Sequence, residues 1–120
     1  MALTDIKKLL KEGEKYIKNP DVIIDVFDMT YVWVSKYHCK ITEYTEKEQI
    51  NMQIAVNSQL VNGDTRTMAL EVGIPYQPFE RMMIITTKTG KKKMSNVQGI
   101  VINFNGQPYI IGKMNKPTDA

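Results

Sequence analysis

Tyr31-Val-Trp-Val-Ser35-Lys-Tyr-His38-Cys39-Lys-Ile-Thr42-Glu43-Tyr44-Thr45-Glu-Lys-Glu48-Gln49-Ile-Asn-Met-Gln53 is the stretch that decides how this chain folds. Alternating β-branched and aromatic residues read as a strand, and Ser35 is a small polar stop able to cap a short helix to about Thr42. Thr45-Glu46-Lys47-Glu48 then has the form of a capping box, in which hydroxyl and carboxylate each satisfy a backbone amide of the other. The capping box opens a second helix, with Ile50 and Ile54 continuing one of its faces.

Upstream, residues 22–28 and 31–34 read as two strands joined by Asp28-Met29-Thr30. By the period of two, Val22, Ile24, Val26, Val32 and Val34 form an aliphatic face, and Phe27, Tyr31 and Trp33 the opposite one. A second face carrying large aromatics needs cover. Residues 4–18 supply a candidate, since Ile6, Leu9, Leu10, Gly13, Tyr16 and Ile17 recur at helical spacing. Thr4 or Asp5 could cap this helix, and Asn19-Pro20 ends it. So short a helix is marginal alone, so its stripe either packs on its own domain or forms a dimer seam.

Downstream, Asp64 is placed to cap a third short helix, Thr65–Val72, closed by Gly73 and Pro75. Strands follow at Arg81–Thr87, Met94–Phe104 and Tyr109–Met114. Asn105-Gly106 is a strong hairpin signal because both residues tolerate positive φ. The order implies an α+β domain with a five-stranded antiparallel sheet, short helices on one face and an N-terminal amphipathic cap helix. Residues 1–20 are the cap or dimer seam, 21–115 the domain, and 116–120 a frayed tail.

The chain's 120 residues suffice for one core without metal or disulfide. Its lone cysteine, Cys39, cannot close an internal disulfide, and no apolar run suits a signal peptide or membrane span. The expected home is cytoplasmic, away from a membrane. Net charge is +3, with eight lysines against nine carboxylates in residues 1–60 and eight Lys/Arg against four in 61–120. The tight basic run Lys88–Lys93 sits at a hairpin tip with no stacking aromatic beside it. It reads as a solvated turn, which disfavours direct nucleic-acid binding.

This order of elements resembles the PAS domain, from about Asp21 to Met114. In that family an Asn ends the second strand and opens a short helix that closes in Gly-Tyr before a Ser/Thr-x-x-Glu helix start. Ser35, Tyr44, Thr45 and Glu48 take those places. Gly73-Ile74-Pro75-Tyr76, Phe79-Glu80 and Lys88-Thr89-Gly90-Lys91 match the family's later lead-in and hairpin. The chain departs from the pattern at Glu43, where a Gly is usual. It also lacks a His-Pro-Asp-Asp run within Asn51–Asp64, where Asn62-Gly63-Asp64 is a partial echo.

The resemblance implies a sensory module with a pocket between sheet and helices. Ile24, Val26, Val34, Ile41, Ile54, Met68, Met83, Asn96 and Gln98 are its candidate ligand-binding residues. Asn96 and Gln98 share one face of their strand and would orient a ligand only if that face lines the pocket; both faces look covered. The abundant methionines fill core space or make a plastic pocket. Ile6, Leu9, Leu10, Ile17, Phe27, Tyr31 and Trp33 are the candidate homodimer interface.

No catalytic set is expected. Gly-x-Ser-x-Gly and phosphate-binding loops are missing, and the single histidine, His38, has no second base or nucleophile at useful spacing. His38 and Cys39, about 100° apart on a helix, cannot make a metal site alone. Haem through His38 is disfavoured, because the family's haem ligand sits on the later helix. Covalent flavin is disfavoured too, because Gln49–Leu60 has no cysteine; non-covalent flavin stays open, and the cofactor is unknown. Two functions remain. One is a sensor that takes a small apolar ligand and relays it to a dimer partner, a kinase or a transcription regulator. The other is a ligand-free homodimerisation module.

Overall fold

The computed structural model describes residues 1–63 and 74–120. The expected helix Thr65–Val72, its Asp64 cap, Gly73 and the pocket candidate Met68 therefore lie outside the described residues. Helix α1 (Leu3–Gly13) is followed by strands β1 (Val22–Asp25) and β2 (Thr30–Val34), then helices α2 (Lys36–Thr42) and α3 (Glu46–Gln49). A 3-10 turn (Ile54–Val56) leads to β3 (Ser58–Leu60), and β4 (Phe79–Thr86), β5 (Lys92–Phe104), β6 (Gln107–Met114) and β7 (Thr118–Asp119) complete the chain.

All pairings are antiparallel, in the order β2-β1-β6-β5-β4-β3, with β7 on β5. Among the described residues the sheet has seven strands rather than five. The tail is not frayed, because Lys93 pairs with Asp119 and Met94 with Thr118, extending the track that β6 follows along β5. The Asn105-Gly106 hairpin has the expected geometry, with φ of 50° and 77° and Phe104 paired to Gln107.

Several elements are shorter than the sequence pattern suggests, each for a local reason. α1 stops at Gly13 and passes into turns, and its N-cap is Ala2 with no side-chain bond. β1 stops at Asp25, whose carboxylate accepts from the Phe27 amide at 2.9 Å and starts a turn. Phe27 is left 74% exposed on that turn instead of on a strand face. The capping box at Thr45 and Glu48 forms with both bonds, yet α3 is four residues long because Ile50 takes extended angles. Ile54 starts a separate turn.

A register shift between Ile23 and Ile24 revises the faces of β2. Ile23 pairs with Trp33 but Ile24 pairs with Tyr31, so β2 carries an extra residue. Such a bulge breaks strict alternation. Trp33 and Val32 both pack with the outer-face cluster, while Tyr31 turns inward. The expected grouping of Tyr31 with Phe27 and Trp33 is thus corrected.

The sheet divides two cores. On the outer side, Leu9 and Ile17 from the N-terminal segment pack with Ile23, Ile100, Ile102, Tyr109 and Ile111, joined by Ile6, Leu10 and Phe104. Gly13 allows this fit, since a Cβ there would lie 2.6 Å from Ile111 Cγ2. The inner core holds Val22, Ile24, Met29, Val34, Leu60, Val101 and Ile110, among others. Each fully buried aliphatic side chain contributes at most about 2–3 kcal/mol by transfer from water.

Two polar ties attach the helices to the sheet. Buried Asp21 accepts from Ser35 Oγ and from the Met114 amide, each at 2.9 Å, joining the start of α2 to β1 and β6. At the other end, the β4–β5 turn is clasped to the α2–α3 loop. Lys88 N–H donates to Thr42 C=O at 3.0 Å, and Lys88 Nζ meets Glu48 Oε2 at 2.6 Å. Glu43, left-handed at φ 66°, accepts from the Thr89 amide and hydroxyl. Its carboxyl is held below the usual range chiefly by Thr89, and that of Glu48 is drawn down to about 2 chiefly by Lys88.

Candidate ligand cavity between the sheet and the short helices

The cavity begins with two glycines. Phe79, Gly99, Gly112 and Val22 are successive partners across β4, β5, β6 and β1, forming one row over the sheet. Without a side chain at Gly99 the Phe79 ring settles onto the sheet, so close that a Cβ on Gly99 would stand 2.4 Å from Phe79 Cζ, and Gly112 leaves room for Val22, whose Cγ2 would lie 3.0 Å from a Cβ there.

Around this cavity, Ile24, Ile110, Met114, Val97, Met83 and Ile85 supply further sheet walls. Ile54, Ser58 and Tyr31 line it from β2 and the 3-10 turn region, and α2 contributes His38. The enclosed volume is about 40 Å³. A dry cavity of roughly 150 Å³ accepts benzene, and drug-sized pockets start near 300 Å³. This space suits a few waters or a very small apolar group unless walls move.

Its polar part is unusual for so apolar a lining. Tyr31 Oη donates to Asn57 Oδ1 at 2.8 Å, with Ser58 Oγ at 3.3 Å. The Tyr31 and His38 rings lie 5.3 Å apart at 60°. Burial pushes the Tyr31 phenol up to about 12 against the opposing effect of the Ser58 and Asn57 bonds. Burial likewise brings His38 down to about 4, partly offset by Gln49, so the imidazole is neutral at pH 7. Asn57 Nδ2 is buried without a hydrogen-bond partner, and His38 Nδ1 and Gln49 Oε1 make no well-formed bond although the Gln49 side chain is close enough to act on the imidazole. A buried atom left unpaired costs about 1–3 kcal/mol until something satisfies it.

Of the sequence candidates, Ile24, Ile54 and Met83 line the cavity, while Val26 and Val34 pack in the inner core beside it. Ile41 is half-buried on α2 and is not one of the walls. Asn96 and Gln98 are on the other side of the sheet, where their amides donate to Glu80 at 3.0 Å each. Strand parity explains the correction: Val97, Gly99 and Val101 take the inner face of β5, which leaves the even positions outside.

The interface candidates also divide. Ile6, Leu9, Leu10, Ile17 and Trp33 pack against this chain's own outer sheet face. Tyr31 belongs to the cavity, and Phe27 is on its turn. Sequence reasoning missed the roles of Tyr31, Asn57, Ser58 and Phe79 and of the glycine row. The spacing of Phe79-Glu80-Arg81 before Met83 could have signalled an inward aromatic, but Gly99 and Gly112 are neighbours only through strand register.

The residues present do not fit haem or a flavin. Either group needs several hundred Å³, far beyond this cavity. Gln49–Leu60 carries no cysteine, and no cluster of three or more His, Cys, Asp or Glu among the described residues could hold a metal. No helix among the described residues is long and apolar enough to cross a membrane.

No protein-family model and no curated protein matches the chain. Solved structures do. A PAS domain of an HTR-like protein from Haloarcula marismortui superposes with a TM-score of 0.63 at 19% identity, over 93% of this chain and 99% of that one. The PAS domain of nitrogen regulation protein NR(II) from Vibrio parahaemolyticus gives 0.62 at 14% identity, over 97% and 99%. The dark structure of the LOV domain of the blue-light photoreceptor Aureochrome1 gives 0.65 at 15% identity, over 89% and 81%.

Proposed function

We propose, from the premise that this chain has the PAS fold, that it is a non-catalytic sensory module that takes a small, mainly apolar ligand into the inner cavity. The observation that carries this reading is an apolar cavity with a buried imidazole in its wall, His38, whose Nδ1 makes no well-formed hydrogen bond. Core filling alone gives no reason to keep such a group there. A ligand with one polar group, or ordered water exchanged for it, would satisfy that nitrogen. Met83 and Met114 in the walls can repack as it enters.

Binding would bias the sheet between two states and pass that bias to a partner copy or to an effector domain such as a kinase or a transcription regulator. Similarity to PAS domains of NR(II) and of a two-component sensor histidine kinase supports a signalling context. The same lining argues against catalysis, because among the described residues the walls hold no carboxylate or lysine, and the Tyr31 and Ser58 hydroxyls beside His38 are engaged with each other and with Asn57.

Native mass spectrometry, with a denatured run beside it, tests the reading. Extra mass seen only under native conditions supports it, and Ile24→Trp, which fills the cavity, should abolish that mass. Bare protein that is also not stabilised thermally by any small apolar compound overturns it.

The alternative, a ligand-free homodimerisation module, is favoured by Met82, 42% exposed on the outer face of β4 beside the Glu80–Asn96–Gln98 cluster. A seam through Ile6, Leu9, Leu10 and Ile17 would instead require α1 to leave the sheet. Trp33→Ala distinguishes the two surfaces: dimers that survive it do not depend on the α1-covered face.

A further inference from the structure

Arg81 has an unusual position. It lies between the cavity-lining residues Phe79 and Met83 on β4, so it shares their inward face, and its cross-strand partner Val97 is another cavity wall. Its guanidinium stands over the Phe79 ring, 5.9 Å from the centroid. Its hydrogen bond is from Nη1 to the Glu80 carbonyl at 2.7 Å. Among the described residues no carboxylate pairs with it, and the neighbouring Glu80 carboxylate is occupied on the opposite face by Asn96 and Gln98.

A guanidinium has five donors in a planar fork suited to a carboxylate. Here most of that capacity is free, beside the aromatic ring that rests on Gly99. No Asp, Glu, Lys or Arg is among the cavity walls themselves. A charged group inside would be buried without a partner, whereas one at Arg81 would keep both a partner and water.

Resting on the cavity reading above, we propose that the ligand is an aliphatic carboxylate, with its chain taking the place of the Phe79 ring over Gly99 as that ring swings aside and its carboxylate forked on Arg81. The chain exceeds the present space of about 40 Å³, so its entry requires the Phe79 ring to swing off Gly99 and the Met83 and Met114 thioethers to repack. The Phe79 ring, half-buried and held by no hydrogen bond, is the wall that moves.

The test compares hexanoate with 1-hexanol by NMR titration of the intact chain at pH 7. Hexanoate should bind roughly tenfold or more tightly than the alcohol, the expected scale for a forked charge-assisted contact. Arg81→Gln should remove that preference, bringing the two affinities together, and Arg81→Lys should keep part of it. Equal affinities, or a preference that survives Arg81→Gln, overturn the carboxylate assignment and leave the cavity reading standing. If neither probe shifts the resonances of cavity residues, both fail. Unchanged amide spectra of the ligand-free variants establish that they fold.

Discussion

The two faces of the sheet are built on opposite principles. On the outer face, Leu9 and Ile111 are fully buried, and Gly13 brings the helix so close that no added atom fits. On the inner face the walls include flexible methionines, two glycines covered by the side chains of Phe79 and Val22, and the buried imidazole of His38. Close packing of branched side chains fixes one arrangement, while thioethers and spare volume permit several. Half of this domain therefore holds shape and the other half can change it.

The sharpest way to break that contrast is to damage the rigid face. Leu9→Ala should cost about 3–4 kcal/mol in urea unfolding, because the helix cannot collapse into the void without driving Gly13 into Ile111. A loss below about 1 kcal/mol would mean that the outer face is as adaptable as the inner one.

Acid probes the inner face. Its folded-state pKa of about 4 lies below the ordinary value of 6.5, so His38 binds its proton more readily when unfolded. Stability should be fully present above pH 6.5, fall as the pH drops toward 4, and lose about 3 kcal/mol from this group. In His38→Gln that part of the pH dependence should vanish; an unchanged profile would place the titration elsewhere.

Tyr31→Phe should cost about 1 kcal/mol, since it removes the shorter bond to Asn57 Oδ1 and leaves that buried oxygen only the 3.3 Å bond from Ser58 Oγ. A neutral result would mean that water already serves that atom. Met83→Leu should have the smallest effect, under about 1.5 kcal/mol by thermal melting, because a volume-conserving exchange is tolerated best where walls are loose. A larger loss would show that Met83 is as tightly fitted as Leu9.

The parts of this architecture legible in the sequence were those written locally. The Ser35 cap, the Thr45–Glu48 capping box and the Asn105-Gly106 turn each depend on a few adjacent residues and formed as read. The side of the sheet that Tyr31 faces depends on a bulge, a property of two paired strands that periodicity along one cannot show. Asn96 and Gln98 were ambiguous for a related reason. A strand covered on both faces has no polar alternation to mark its inside. The pairing of Thr118 and Asp119 with β5 is also nonlocal, and two residues carry no pattern of their own. Of the cavity, its aliphatic members Ile24, Ile54 and Met83 were legible, but its glycine row and polar group arise only when strands meet.

The clasp between the β4–β5 turn and the α2–α3 loop has a mechanical consequence. Lys88, Thr89, Glu43, Glu48 and Thr42 fasten the helical layer to one end of β4, while Phe79 begins the strand roughly 25 Å away at full extension. Asp21 holds the start of α2 to β1 and β6 as well, so the helical layer is pinned on two sides of the sheet. A layer held at both ends cannot swing open like a door, so a swelling near Phe79 bows the stretch between the pins.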